Sequence, residues 1–509
     1  MAESYGKRLA SSLSGAMLGN VTGFLIGIAT IIAVARLLGP SQYGAYTIAV
    51  SFYMLVDAAM SYGIGQYLNK YLTEYSTKGE SEKAANTLLL GLLLSFLLGS
   101  ATMLVGIGVG YFVAGAYASS GVSFVTLVIA SFVILFAVPF GSETSALIGM
   151  GKPMHMAASS IAENTVQLIA SVSLVLLGYG FNGALLGIVL GYGAGFLIGL
   201  AYLLKDLSQA SLSKLSWQEA KKALAFSLPL GATNIMNTGV MQLSALLLGI
   251  YVASSVVGNY GVVTRLNVGI YAVYGAIYLA MLSGFSYINA RPSENSEAKI
   301  AKTVAYALVI TLPLLTFMSA LSKPLVFLLL SNKYKLAPIY LSIASLGLAL
   351  FLLGRLLATI FTAREKTIKV MKFYLATAIA QLVALLVLIP ALGATGAVVA
   401  IFIVGGIVSS FAFAYATEKD LKIRINSMKL AKVYLANILL GVLLLAGNML
   451  KGNLLEIGYG LLVTFLLYPP LLGLLKVVDK EGINDLRRFA ESLHAGWAKG
   501  LIEYTGKFV

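Results

Sequence analysis

The sequence predicts an all-α membrane protein of about fourteen transmembrane helices, arranged as two six-helix lobes in a parallel internal repeat plus two C-terminal helices. Three observations carry that prediction. Apolar runs of the roughly 20 residues that a bilayer crossing needs recur along nearly the whole chain. Charge is sparse: 11% of the 509 residues are charged and 59% are hydrophobic, where soluble chains carry about 25% charged residues. Two stretches of the chain also match each other at a nearly constant offset.

Backbone polar groups in lipid need internal partners, so the apolar runs read as helices. In order, the first copy gives spans at 13–38, 43–68, 84–113, 122–148, 154–178 and 183–204. The second gives 223–251, 258–288, 300–321, 336–362, 367–390 and 395–416, and two more follow at 430–450 and 454–478. The resulting division is an N-lobe at 1–204, a linker at 205–222, a C-lobe at 223–416, the added helices at 417–478 and a tail at 479–509. Residues Met1 to Ala10 are polar and the next stretch is a full span, so no cleavable leader is expected.

Loop charges test the count. With both termini cytoplasmic, 28 of the 35 Lys and Arg fall in inside segments. The outside segments hold five, Arg36, Lys323, Lys333, Lys335 and Lys451, and Arg265 and Arg355 lie within spans. A missed or extra helix would scramble this alternation. The net charge of +15 therefore reads as orientation in the cytoplasmic membrane, not as nucleic-acid binding. In the tail, Leu486, Ala490, Leu493, Trp497 and Leu501 recur at helical spacing, the pattern of an amphipathic helix lying on the cytoplasmic membrane face; a solvated tail is the alternative.

The repeat is visible residue by residue. Asn20 matches Asn234, Gly44-Ala45-Tyr46 matches Gly258-Asn259-Tyr260, Lys152 matches Lys366 and Gln167 matches Gln381, all at an offset of 214. Asn182-Gly183-Ala184 matches Thr395-Gly396-Ala397 at 213. An even number of spans per copy gives both copies one orientation, a parallel repeat about an axis along the membrane normal.

Two loop patterns resemble a known family. Ala35-Arg36-Leu37-Leu38-Gly39-Pro40-Ser41-Gln42-Tyr43-Gly44-Ala45-Tyr46 resembles the first-loop signature of polysaccharide biosynthesis proteins, the Wzx-type oligosaccharide flippases. Gly149-Met150-Gly151-Lys152-Pro153 and Gly180-Phe181-Asn182-Gly183-Ala184 are similar to that family's fourth-to-sixth-helix pattern. The likeness covers about residues 10–420. It implies membership of the superfamily shared with MATE drug exporters and MurJ-type lipid flippases. It further implies two lobes rocking around a central cavity, with a polyprenyl-linked glycan flipped to the outer leaflet.

Ionisable residues inside spans are costly and mark function by default. Asp57, Glu143 and Glu163 lie in the first copy, Arg265 and Arg355 in the second. Arginine stays charged and binds phosphate oxygens bidentately, so Arg265 and Arg355 are the candidates for a phosphate or pyrophosphate head group; structural ion pairing is the alternative. Asp57 and Glu163 are candidates for coupling to H+ or Na+. Glu143, near the cytoplasmic end of its span, is expected to snorkel to the interface. Gln167, Asn20 and Asn234 are candidate cavity residues, with close helix packing as the other reading. Tyr271, Tyr274 and Tyr278 form a stripe suited to stacking on sugars, or to ordinary aromatic packing. The chain has no cysteine and two histidines, so no metal site and no cofactor are expected. No P-loop or nucleophile–base pattern stands out, which argues against an enzyme. The expected partners are lipid-linked oligosaccharide, membrane lipid and glycan assembly enzymes. A cation-coupled multidrug exporter of the MATE type is the alternative function; a membrane glycosyltransferase would need an acidic metal motif, and an inert scaffold would leave the intramembrane charges without purpose.

Overall fold

A computed structural model describes residues 2–59, 63–208, 210, 217–290, 295–424, 426–450, 452–478, 483–484, 487 and 498–508; within these, the side chains at 2–21, 59, 228–237, 268–269, 271–273, 276, 498–499 and 501–502 lie outside the description. Every regular element among the described residues is helical, as the backbone constraint in lipid requires. Ten helical stretches are long and apolar enough to cross a membrane, and Thr238–Tyr251 and Ile277–Ala290 are shorter apolar helices. Two of the ten contain a break, described below. The chain is a multi-pass membrane protein, and large apolar side chains such as Leu97, Leu104, Phe112 and Leu177 stand 63–84% exposed, as a lipid-facing surface allows.

The chain divides into two compact units, Met1–Val262 and Val263–Val509. The first begins with α1 (Ala2–Ala59), which turns sharply at Gly39 (φ 68°, ψ 174°) ahead of Pro40. Glycine is needed at that positive φ, and proline opens the next limb because it donates no hydrogen bond. The expected span 43–68 is thus shared between the second limb of α1 and α2 (Ile64–Lys78). Next come α3 (Ser81–Val113), α4 (Phe124–Gly149), α5 (Pro153–Leu174) and α6 (Gly180–Leu207). A π-helical turn at Val175–Tyr179 joins the last two, with positive φ at Gly178 and Gly180. α7 (Trp217–Tyr251) and most of α8 (Ser254–Leu266) complete this unit.

Close backbone approach organises the unit. Gly183, Gly187, Gly191, Gly195 and Gly199 recur every four residues on α6 and form one stripe. A Cβ at Gly191 would sit 2.7 Å from Gln167 Cβ, and one at Gly195 would sit 2.7 Å from Glu163 Cβ and 2.6 Å from the Phe140 ring. At Gly199 a Cβ would overlap the Glu143 carboxylate. Helices in lipid gain little from excluding water, so packing of this kind is what holds them together. On its other flank α5 faces α1: the Asn164 amide lies against Gly23 and Gly27. One end of the unit is closed by a cluster of Ile64, Tyr67, Leu68, Leu72, Leu88, Leu147 and Leu203.

A second close approach joins α8 to the α1 limb that follows Pro40. A Cβ at Gly44 would overlap Ser254 O, and one at Gly258 would overlap Pro40 O. Gly261 sits on the Thr47 side chain, and Ser254 Oγ donates to Ser41 O at 2.7 Å. Pro40 and Ser254, Gly44 and Gly258, and Thr47 and Gly261 are each 214 apart. Each segment therefore uses the same patch on the other, the reciprocity of a two-fold contact. This seam places α7 and α8 with the first unit, although the repeat's joint in the sequence falls at 205–222.

The second unit holds α9 (Val268–Ala290), α10 (Ser296–Ala320), the short α11 (Ser322–Leu329), α12 (Ala337–Ala363), α13 (Thr367–Leu392), α14 (Ala394–Val398), α15 (Gly405–Leu421), α16 (Ser427–Leu445), α17 (Asn453–Leu474) and α18 (Ala498–Gly506). A π-helical turn, Val399–Val404, links α14 to α15. The expected span 258–288 is interrupted at Asn267, between α8 and α9. The added pair α16–α17 docks on α10 through a buried polar chain. Asn437 Nδ2 donates to the Tyr468 hydroxyl at 3.1 Å, that hydroxyl donates to Val309 O at 3.1 Å, and Thr316 Oγ1 donates to Asn437 Oδ1 at 3.3 Å. Most of the expected amphipathic tail, including the side chains of Leu486, Ala490, Leu493, Trp497 and Leu501, lies outside the described residues.

Each unit reproduces the other's local contacts. Gly180 (φ 56°, ψ −143°) and Gly393 (φ 57°, ψ −134°) make the same turn. Gln167 packs on Gly191 in the first unit and Gln381 on Gly405 in the second. Lys152 pairs with Asp206, and at equivalent positions Lys366 donates to Asp420 O while Lys369 pairs with the Asp420 carboxylate at 2.8 Å. The glycine stripe yields a stability prediction. Gly199→Val should lower the midpoint of thermal unfolding in detergent by the equivalent of about 1–3 kcal/mol. Gly141→Ala, where a Cβ meets nothing within 4 Å, should leave it unchanged.

Candidate functional site

The intramembrane charges occupy two different settings. In the first unit, Glu163 is 6% exposed, wedged between α5 and the glycine stripe of α6, and Asn164 Nδ2 donates to its Oε2. Gln167 lies one turn further along the same face, against Gly191. Asp57 is half-buried on the second limb of α1. The side chains of Asn20 and Asn234 lie outside the described residues.

Glu143 does not reach the interface as expected. It is 0% exposed, because Gly199 lets the α6 backbone lie directly over its carboxylate. Ser159 Oγ lies 3.2 Å from Oε2 and donates to Gly195 O at 2.9 Å, while Oε1 has no hydrogen-bond partner among the described residues. A charged group near a helix end snorkels only when its stem can lie along lipid; here the carboxyl is enclosed by α4, α5 and α6.

In the second unit, Arg355 of α12 stands beside two aromatic rings. Its guanidinium carbon is 5.2 Å from the Tyr274 ring centroid and 5.0 Å from that of Phe351. Both distances are within cation–π range. The Tyr274 hydroxyl donates to Arg355 O at 3.3 Å, which fixes α9 against α12 at this level. Tyr278 follows one turn on, its ring 6.1 Å from that of Tyr274. The Tyr271 side chain is outside the described residues. Phe351 completes the aromatic setting; its i,i+4 spacing from Arg355 in the sequence was the available signal.

Arg355 is among the residues that line a small, apolar cleft. Ile270 of α9, Thr311 and Leu315 of α10, and Leu348 and Leu352 of α12 form its walls. Arg265 lies on the last turn of α8, half-buried, where a cation is favoured by the helix dipole. Two residues on, at the helix break, Asn267 is 0% exposed, and neither amide atom has a hydrogen-bond partner among the described residues. Nothing in the local sequence signalled that break. Among the described residues no cluster of three His, Asp or Glu is placed to hold a metal.

The chemistry differs accordingly. The first unit buries carboxyl groups among small residues and amides, a setting that suits a small cation. The second presents a fixed guanidinium at the edge of an apolar cleft, a setting that suits an anion carrying an apolar substituent.

A family model described as polysaccharide biosynthesis protein matches residues 33–339. No curated protein sequence matches. Among solved structures, the chain is similar to the lipid II flippase MurJ in an inward closed conformation, with 14% identity, a TM-score of 0.69, and 88% of this chain and 96% of that one covered. It is also similar to a multidrug resistance MATE family transporter of the MOP superfamily in an inward-facing conformation, with 15% identity, a TM-score of 0.66 and coverage of 81% and 99%. An outward-facing MATE family transporter of that superfamily matches at 16% identity, with a TM-score of 0.54 and coverage of 82% and 96%. At these identities the likeness is one of fold.

The buried carboxyl generates the test for this region. Ser159→Ala removes a hydroxyl from beside Glu143 and should cost about 1–3 kcal/mol of stability. In the Ser159→Ala/Glu143→Met double variant much of that loss should be recovered, because no polar group is left stranded. Thermal unfolding of the four proteins of this cycle in one detergent measures both effects.

Proposed function

The chain belongs to the polysaccharide biosynthesis protein family, and from that membership we propose that it flips a lipid-linked oligosaccharide across the cytoplasmic membrane by alternating access. The observation that carries this reading is Arg355, whose guanidinium is set beside Tyr274 and Phe351 at an apolar cleft within membrane-spanning helices. A lipid-linked glycan joins a hydrated sugar to an apolar chain through phosphate or pyrophosphate. The phosphate is the costly part to bring into lipid, and a permanently charged, bidentate donor offsets that cost. Arg355 is the head-group ligand, and Arg265, nearer the outer face, is the second contact along the path.

Transport, rather than catalysis, is the role these groups suit: they bind an anion and offer no nucleophile. Asp57 and Glu163, with Gln167, Asn20 and Asn234 around them, form the region that couples the cycle to H+ or Na+. Tyr274 and Tyr278, with Tyr271, supply stacking surfaces for sugars. The loop charges support cytoplasmic placement of both termini. The seam at Gly44 and Gly258 is the contact that parts when the outer side opens, since backbones this close either stay together or separate as a unit. Glycan assembly enzymes are the partners that deliver and consume the cargo.

The enclosed Glu143 and Glu163 favour one second reading, a cation-coupled multidrug exporter. Flipping of a fluorescent lipid-linked oligosaccharide in proteoliposomes separates the two. Wild type should flip it, Arg355→Ala should slow flipping at least tenfold, and Arg355→Lys should restore only part of the rate because the bidentate fork is lost. Arg265→Ala should slow flipping to a smaller extent. Wild-type proteoliposomes that flip no lipid-linked glycan yet expel cationic dyes would establish the exporter instead.

A further inference from the structure

We infer that the cleft between α9, α10 and α12 binds the first isoprenoid segment of the lipid carrier, so that this unit reads the junction between phosphate and prenyl chain and not the sugar. The inference rests on the phosphate role of Arg355 proposed above and adds a site to it.

Three features of the cleft support this occupant. The first is charge placed directly against apolar wall. Phe351 and Leu352 precede Arg355 by four and three residues on the same helix, and the Phe351 ring lies 5.0 Å from the guanidinium carbon. In a prenyl phosphate the hydrocarbon begins at the carbon bonded to the phosphate oxygen. In a phospholipid, a glycerol and two esters intervene before the first apolar carbons. A wall that turns apolar within about one helical turn, 5.4 Å, of the cation matches the former and leaves the esters of the latter facing leucine and phenylalanine, at the cost of unsatisfied polar groups.

The second feature is direction. In the proposed orientation α12 enters from the outer side at Ala337 and ends on the cytoplasmic side at Ala363. Arg355 therefore lies toward the cytoplasmic end, and Leu352 and Leu348 lie successively deeper. Arg355 to Leu348 spans seven residues, about 10 Å along the axis. A lipid of the cytoplasmic leaflet has the same polarity, with its phosphate outward and its chain running to the midplane.

The third feature is an entrance. Thr311, Leu315, Leu348 and Leu352 are buried, whereas Leu314 on the same cleft is 39% exposed. The chain therefore enters past Leu314. The single wall hydroxyl that carries an in-helix bond, Thr311 Oγ1 to Ala307 O at 2.7 Å, is already satisfied and presents its methyl group at no polar cost.

Binding to the full chain in nanodiscs tests this, with geranylgeranyl diphosphate and inorganic pyrophosphate as probes. Wild type should bind the prenyl compound at least tenfold more tightly than pyrophosphate. Leu314→Trp, which plugs the entrance, should reduce prenyl affinity to the pyrophosphate level and leave pyrophosphate binding within twofold. Arg355→Ala should weaken both at least tenfold. Unchanged prenyl binding in Leu314→Trp would overturn the site, and so would competition by dioleoyl phosphatidic acid as strong as by the prenyl compound, which would make the cleft a phospholipid site. A geranylgeranyl diphosphate with a diazirine on its first isoprene gives a measurement on wild type alone. Crosslinks should fall within 311–315 and 348–352, and labelling confined to other segments would also refute the proposal. Wild-type flipping of lipid-linked glycan with prenyl binding insensitive to Leu314→Trp removes only the cleft; absence of flipping removes the function on which it rests.

Discussion

The close approach of α6 to its neighbours sets what the rest of the first unit can hold: Gly187, Gly191 and Gly195 bring its backbone onto Ser171, Gln167 and Glu163 of α5, and Gly199 brings it onto Glu143 of α4. In water, those polar side chains would be solvated and the stripe would be a weakness. In lipid there is no hydrophobic gain from bringing helices together, so contact depends on close packing and interhelical hydrogen bonds. The glycine stripe supplies the first, and the Ser159 and Ser171 hydroxyls, which donate to Gly195 O and Ala184 O, supply the second. Glu143 and Glu163 are enclosed as a result. The seam at Gly44 and Gly258 works by the same means and differs in its symmetry: two equivalent segments, each offering a glycine to the other's backbone carbonyl.

The two units spend their closeness on different things. Where the first unit uses small residues to enclose carboxyl groups, the second uses bulky ones to surround a cation. Arg355 is flanked by Tyr274 and Phe351 and opens on leucine and isoleucine. An aromatic face partly compensates a guanidinium for lost water. The division of acids and arginines between the copies therefore has a structural counterpart: in one unit carboxyl groups lie among glycines and amides, in the other a guanidinium lies beside aromatic rings.

The α16–α17 pair shows how helices outside the repeat are attached. Apolar surfaces alone would let them slide in lipid. The chain from Thr316 through Asn437 and Tyr468 to Val309 O fixes their register on α10, since each of those groups would be stranded by a shift of one turn.

The sequence by itself determined the class, the repeat and the inventory of charges. Composition and run length suffice for the class because lipid excludes every backbone arrangement but a few. The near-constant offset of 213–214 was legible because equivalent turns demand equivalent residues: Gly180 and Gly393 share one backbone conformation, and Lys152 and Lys366 both reach the end of a following helix. The sequence also singled out Arg355, Glu163 and the Tyr274–Tyr278 stripe, since ionisable and aromatic groups stand out in apolar runs. What only the tertiary structure decided was burial and adjacency. Glu143 looked close enough to the interface to reach it, and its enclosure depends on Gly199, 56 residues away. The α6 glycines were visible, but what they faced was not. The break at Asn267 was not legible either, and the placing of Tyr274 against Arg355 depends on which helices become neighbours. Periodicity reports which face of a helix is polar; it does not report what lies opposite, and in a bundle of helices in lipid that neighbour decides whether a charge is solvated, packed or poised to bind.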